Sequence, residues 1–360
     1  MPAKFPVQFT IFVCLLIGPG FATAVAQTGT FLDKLNATDV RVVSYNLGGF
    51  NDNFSDQPFD FVGGQWRFDD HYARVVGALE ADVWAFQEIQ SRSAADVRNA
   101  LNLADPLPDG ASWFTHKTDE QVIASRHPFL DTGALLAGSP RSPAVATIDL
   151  PLSMSADDLH VVNLHLKAGG SASDESQRIR DVDRIIRYFK DAQTPGGPED
   201  LDPGIPFVVL GDFNTASGTA PVDNLRFGDI TTEALFGPDE LLDWDETALS
   251  IVDATHNNGG FPDWTWRGSR TSRLDWQVYS DSVASLSQAF VLNTQLLTAA
   301  ERQATGLQPN DVLYSSSFWD HVPVVADYNL RRVVIPEPAA GVLLVASGCI
   351  MRRRCRTMAA

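Results

Sequence analysis

A chain of 360 residues with an apolar fraction of 44% has room for one large domain or two modest ones and for a sizeable core. Its formal net charge of −18 repels polyanions at long range, which argues against a tight nucleic-acid binder but not against an enzyme that meets a phosphodiester through a divalent metal. The three cysteines, Cys14, Cys349 and Cys355, lie near the chain ends, so residues 27–335 carry neither a disulfide nor a cysteine zinc site.

Residues 1–26 read as a secretory signal peptide. Lys4 precedes an apolar run from Phe9 to Ile17, Gly18-Pro19-Gly20 breaks it, and Ala24-Val25-Ala26 places small residues ahead of Gln27. "VRVVSYNL" (40–47) is β-branched and predicts a strand. The stretch 50–68 is aromatic (Phe50, Phe54, Phe59, Phe61, Trp66, Phe68) and is expected either to overhang a site after Asn46 or to be pinned on the core by its own rings. Tyr72, Val75, Val76 and Leu79 recur at helical spacing, and "DVWAFQEI" (82–89) returns to a strand.

"VIAS" (122–125), "AVATIDL" (144–150) and "LHVVNLHL" (159–166) predict three strands of a meander. Ile179, Val182, Ile185, Ile186 and Phe189 form one helix face, with Arg180, Asp183, Arg184 and Arg187 opposite. A Pro/Gly loop (195–206) leads into the buried strand "FVVL", and an acidic insert (226–248) reads as a solvated rim. "RLDWQVYS" (273–280) and "HVPVVADYNL" (321–330) give the last strands. The Pro195–Pro206 segment has the length of a loop within one α/β unit, so residues 27–335 are expected to form one domain.

At the far end, Pro336-Glu337-Pro338, an apolar stretch of 13 residues from Ala339 to Met351, and four arginines follow one another. The stretch is short of the roughly 20 residues a spanning helix needs. Residues 336–360 resemble a PEP-CTERM sorting signal, which implies export, transient membrane contact and an exosortase-type enzyme as partner. Without both ends, 22 basic residues face 44 acidic ones, a net charge of about −22.

Polar groups repeatedly end the apolar strands: Asn46, Glu88, His165, Asp212, Asn214, Asp275 and the pair Asp320-His321. Burying such groups unpaired costs several kcal/mol each, so a ligand is the reason to expect them there. A hard cation such as Mg²⁺ takes carboxylate and phosphate oxygens and stabilises charge on a phosphoryl group; Glu88 and Asp320 are the metal candidates. A histidine held by a carboxylate supplies a base with a pKa near neutrality, here His321 oriented by Asp275. His71, His116, His127, His160 and His256 receive no role, and Lys167 and Arg178, which flank the His165 motif, are expected to be exposed basic residues, with contact to a substrate phosphate as the alternative.

In order, "SYNLG", "QEI", "SRHPF", "NLHLKAG", "LGDFNT", "SRLDW" and "WDHVPV" resemble the endonuclease/exonuclease/phosphatase superfamily over residues 40–330. That resemblance implies an α/β (α+β) fold, a deoxyribonuclease-I-like four-layer sandwich of two packed mixed β-sheets flanked by helices. It implies Asn46 and Glu88 in the metal and phosphate site, His165 on the scissile phosphate, and Asp212 with Asn214 orienting water or phosphate. It also implies an Asp275–His321 pair and Asp320 as a metal ligand. The expected protein is an exported, monomeric, Mg²⁺-dependent phosphodiesterase (Mn²⁺ or Ca²⁺ being alternatives), nuclease-like, outside the cytoplasmic membrane. A phospholipid, sphingomyelin, sugar or inositol phosphate is the alternative substrate, and a non-catalytic surface scaffold the alternative class. Trp319 departs from the family, many members of which carry Ser before the Asp-His pair.

Overall fold

The structure is a computed structural model that describes residues 30–48, 58–135, 141–260, 262–268, 271–313 and 320–330. The signal-peptide and sorting-tail readings, Phe50, Phe54 and Trp319 lie outside the described residues. Along the chain, β1 (Val40–Asn46) is followed by a hairpin of β2 (Phe59–Val62) and β3 (Gln65–Phe68), then by α1 (Asp70–Leu79), β4 (Val83–Gln87) and α2 (Ala94–Ala104). Next come β5 (Phe114–Thr118), β6 (Gln121–Ser125), β7 (Phe129–Ala134), β8 (Ala144–Ile148), β9 (Leu159–His165), α3 (Ala172–Ala192) and β10 (Phe207–Asp212). The remainder is α4 (Ala220–Phe227), α5 (Glu233–Phe236), β11 (Ser250–Ile251), β12 (Trp266–Arg267), β13 (Thr271–Ser272), β14 (Asp275–Tyr279), β15 (Ala284–Val291), α6 (Ala299–Thr305) and β16 (Val324–Leu330).

Two six-stranded sheets result, in the orders β15-β16-β1-β4-β6-β5 and β11-β14-β10-β9-β8-β7. Each is mixed, with one parallel pair (β1 with β4, β9 with β10) among antiparallel neighbours. Strand side chains alternate between faces, and the second sheet shows the consequence. Val161, Val208 and Leu210 join the core shared with the first sheet, whereas Val162, Leu164, Phe207 and Val209 join Val182, Ile185, Ile186 and Phe189 of α3 on the outside. On the first sheet, α1 supplies Tyr72, Val75, Val76 and Leu79, and α2 supplies Val97, Ala100 and Leu101. The layers are helix, sheet, sheet, helix. Both α2 and α3 start at a reciprocal cap, Ser93 with Asp96 and Ser171 with Asp174, which satisfies first-turn N–H groups.

The sheets are keyed to one another by a buried amide layer. Gln87 Nε2 donates to Asn163 Oδ1 at 2.7 Å, and Asn163 Nδ2 donates to the carbonyls of Phe86 and Val122. On the other flank, Gln277 Nε2 donates to the Val324 carbonyl and Tyr328 to Gln277 Oε1, both at 2.9 Å. Such bonds specify one register, because sliding either sheet would leave buried amides unpaired.

The expected meander needs correction. Only β8 and β9 of the three predicted strands are paired; β6 lies in the other sheet, against β4 and β5. The chain changes sheets at Arg126-His127-Pro128, where proline removes a ladder donor. Arg178 is also unlike its expectation: it is fully buried and donates to the carbonyls of Lys167 and Gly169 and to Ser217 Oγ. The aromatic stretch is pinned at its two ends where it is described, while Phe61 is exposed. Phe59 and Phe68 are buried and stacked 4.9 Å apart, and the Arg92 guanidinium lies 3.3 Å over Trp66.

His160, on the outer face of β9, shares hydrogen bonds with Thr147 Oγ1 at 2.9 Å and Tyr188 Oη at 3.1 Å. Burial lowers its pKa from 6.5 to about 4. The unfolded chain therefore binds a proton that the folded chain refuses. Stability from this residue is complete above about pH 6.5 and is lost as pH falls towards 4, to a total of about 3 kcal/mol. Melting curves from pH 7.5 to 4.5 test this: His160→Gln should flatten the acid limb relative to the parent chain, and an unchanged slope would refute the assignment.

Candidate active site

The parity that builds the core also builds the site. Asn163 and His165 share the inner face of β9, Leu210 and Asp212 that of β10, and Gln277 and Asp275 that of β14, while Asn46 stands opposite Gln87. Asp212 is in register with His165 on one side and Asp275 on the other. The inner faces that lock the sheets through amides therefore end in acids and imidazoles where the sheets open. Gly211 in the "GDFN" turn has φ 133°, and a Cβ there would lie 2.0 Å from the Leu164 carbonyl oxygen, so only glycine lets β10 close on β9.

Asn46 joins the two sheets: its Nδ2 donates to Glu88 Oε1 at 3.0 Å and to Asp212 Oδ2 at 3.1 Å. His165 Nε2 lies 3.8 Å from Glu88 Oε1 and 3.6 Å from Asp212 Oδ2. His321 Nδ1 is 2.7 Å from Asp275 Oδ2, and its Nε2 is 3.8 Å from Asp212 Oδ2. Asn214 (φ 53°) donates its backbone N–H to Asp212 Oδ1 and its Nδ2 to the Leu166 carbonyl. Glu88 also has left-handed backbone (φ 64°), a conformation that costs a side-chain-bearing residue about 1–3 kcal/mol and is tolerated where surroundings over-determine it. Here the next amide, Ile89 N–H, is fastened to the Glu120 carbonyl at 2.9 Å.

Seven of the eight predicted residues thus converge. The eighth, Asp320, lies beside them but is engaged by Trp266 Nε1 at 2.6 Å. Among the described residues, ligand atoms of Glu88, His165 and Asp212 lie within 4.8 Å of one another, as do those of Asp212, Asp275 and His321; Asp320 is in neither group.

The electrostatics of the site follow from its burial. Burial pushes the Glu88 carboxyl up, only partly offset by His165, His321 and Asn46. Burial likewise raises Asp212, with Asp275 adding to the effect against the two histidines. Asp275 Oδ1 is buried with no hydrogen-bond partner among the described residues. Two crowded carboxylates bridged by one amide are a donor set that fits a hard divalent cation. His321 differs from the expected near-neutral base. Burial alone would lower it, but the charge and hydrogen bond of Asp275, with Asp212 and Asp320, lift it to about 10.

The sequence reading did not include Glu120. Its Oε1 sits 2.5 Å from His165 Nδ1, Arg141 Nε lies 3.3 Å from the same oxygen, and Gln90 Nε2 donates to Oε2. Burial favours the neutral carboxyl, yet His165, Arg141 and Gln90 hold it below the usual range. Arg141 also donates to the Leu166 carbonyl that Asn214 uses, so the support of His165 and the residue bonded to Asp212 share an acceptor. The available cue was a polar group at a strand end, here an acid separated from the apolar run "VIAS" by Gln121 alone. Glu120→Gln should lower kcat by about 10- to 100-fold through loss of the orienting charge on His165, with KM little changed; equal kcat in the two proteins would remove Glu120 from the site.

The endonuclease/exonuclease/phosphatase family model matches residues 43–295. No curated protein matches the chain in sequence. Among solved structures, ANGEL2, a 2′,3′-cyclic phosphatase in complex with adenosine-2′,3′-vanadate, aligns with a TM-score of 0.52 at 16% identity over 81% of this chain and 96% of that one. An endonuclease/exonuclease/phosphatase from Bacteroides vulgatus aligns with a TM-score of 0.50 at 15% identity over 81% and 99%. At these identities the likeness is one of fold.

Proposed function

The chain belongs to the endonuclease/exonuclease/phosphatase family, and from that premise we propose that it is an exported, divalent-metal-dependent phosphodiesterase, nuclease-like in its reaction. One observation carries the reading. Glu88, Asn46 and His165 from the ends of β4, β1 and β9 meet Asp212, Asp275 and His321 in one buried cluster, with Asp212 in reach of both histidines. Such a set is costly to bury without a ligand.

Glu88 and Asp212 would hold the cation with Asn46, and Asp320 would complete its surroundings. A bound divalent cation supplies Lewis-acid polarisation of a phosphoryl oxygen and offsets the crowded carboxylates. The protein groups do the rest. His165, oriented by Glu120, and His321, oriented by Asp275, present Nε2 on either side of Asp212 and meet the phosphoryl oxygens as charge builds on them. Asp212 and Asn214, tied backbone to side chain, align the attacking water. Asp275, bonded to Nδ1, favours protonated His321, which would serve as charge stabiliser and proton donor.

Export is read from residues 1–26 and 336–360, with an exosortase-type enzyme as partner for the tail. Among the described residues no helix is long and apolar enough to cross a membrane. The purified protein, supplied with Mg²⁺, Mn²⁺ or Ca²⁺, should be assayed against DNA, RNA, sphingomyelin and a simple phosphomonoester. Cation-dependent cleavage of DNA or RNA is the expected result. Turnover of sphingomyelin alone would move the substrate to a lipid head group, and no turnover under any condition would leave the scaffold reading.

A further inference from the structure

The segment Thr265–Arg267 is bonded to the backbone at Asp275, Asp320 and Val322 on its side of the site. Thr265 Oγ1 accepts from the backbone N–H groups of Leu274 and Asp275, each at 2.9 Å. Val322 N donates to the Thr265 carbonyl at 2.8 Å and Arg267 N to the Asp320 carbonyl at 2.7 Å, so Trp266 pairs with His321 as an antiparallel bridge. On top of this backbone clasp, the indole Nε1–H of Trp266 donates to Asp320 Oδ2 at 2.6 Å.

The clasp is itself supported. The Trp264 carbonyl is 2.7 Å from His256 Nε2, and His256 Nδ1 is 3.0 Å from Asn293 Nδ2, which fixes the ring from both sides. Independently, a Cβ on residue 268 would lie 2.0 Å from Trp266 Cζ2 and 2.3 Å from Cη2. The indole therefore folds back over the backbone of Gly268, and any side chain there would push it away from Asp320.

We propose that Trp266, seated by Gly268, is a positioning residue that orients the Asp320 carboxylate and thereby sets how tightly the site holds its divalent cation. The proposal rests on the phosphodiesterase reading, in which Asp320 serves the cation. A carboxylate free to rotate loses that freedom when it binds an ion, whereas one already held through Oδ2 has less to lose.

Trp266→Phe keeps the ring and removes only the donor. In the full-length chain, Mn²⁺ binding measured by calorimetry should weaken by about 10- to 100-fold. The Mn²⁺ concentration for half-maximal activity should rise by the same factor, while kcat at saturating Mn²⁺ and the melting temperature change little. Gly268→Ala, which keeps the indole but displaces it, should move Mn²⁺ binding the same way and decides the matter if Trp266→Phe does not fold. Folded variants that bind Mn²⁺ as the parent chain does overturn the proposal. A parent chain that binds Mn²⁺ but cleaves no phosphodiester instead overturns the phosphodiesterase reading, and the calorimetric comparison still judges Trp266.

Discussion

His321→Ala is expected to lower kcat by about 10²- to 10⁴-fold, the range that one positioned proton-transfer or charge-stabilising group supplies. The imidazole is buried, bound to Asp275 at 2.7 Å and directed by that bond, so its loss removes both a charge and a fixed donor. Asp275→Asn separates the two contributions. Without the neighbouring carboxylate that, against burial, does most to raise His321 to about 10, the imidazolium loses its proton at lower pH. The alkaline limb of the kcat profile should then move to lower pH while the acid limb stays. Activity within tenfold of the parent chain in His321→Ala, with the fold intact by melting temperature, would exclude His321 from the chemistry; an unshifted alkaline limb in Asp275→Asn would break its link to Asp275.

Removing the cation, or the charge that would hold it, should be as damaging. Chelation is expected to reduce turnover on the order of 10³-fold or more, the equivalent of the several kcal/mol that a Lewis acid contributes, and Glu88→Gln should do the same at ordinary cation concentrations. Stability gives a second, opposite readout. Glu88 and Asp212 are buried close together and both are pushed up by burial, so the cation-free protein carries an electrostatic cost that Glu88→Gln relieves. In chelator the variant should melt no lower than the parent chain. Added Mn²⁺ should raise the melting temperature of the parent chain by mass action and leave that of Glu88→Gln nearly unchanged. Equal Mn²⁺ stabilisation of both proteins would place the cation elsewhere.

The strands that carry the site were legible because their apolar cores are short, β-branched and ended by polar residues. "VRVVSYN", "FVVLGD" and "LHVVNLH" occur as β1, β10 and β9 with the expected ends. The same cue brought out Asn46, Glu88, His165, Asp212, Asn214, Asp275 and His321, since acids and imidazoles at the mouths of buried strands are expensive unless they meet each other or a ligand. Trp266 and Glu120 were missed for one reason. Each acts on a group far away in sequence, Trp266 on Asp320 and Glu120 on His165, through contacts that exist only after the sheets close.

The sequence by itself determined the strand faces and the order of motifs that places this chain in its family, because side-chain periodicity and turn chemistry are local properties. Tertiary structure alone decided that β6 leaves the predicted meander for the other sheet and that Arg178 is a buried tie. It also decided that His321 is paired with Asp275 and that Asp320 is gripped by an indole. Those outcomes depend on which groups from distant segments lie within hydrogen-bonding reach and on how much water burial removes from them, and neither quantity is encoded within any one stretch of the chain.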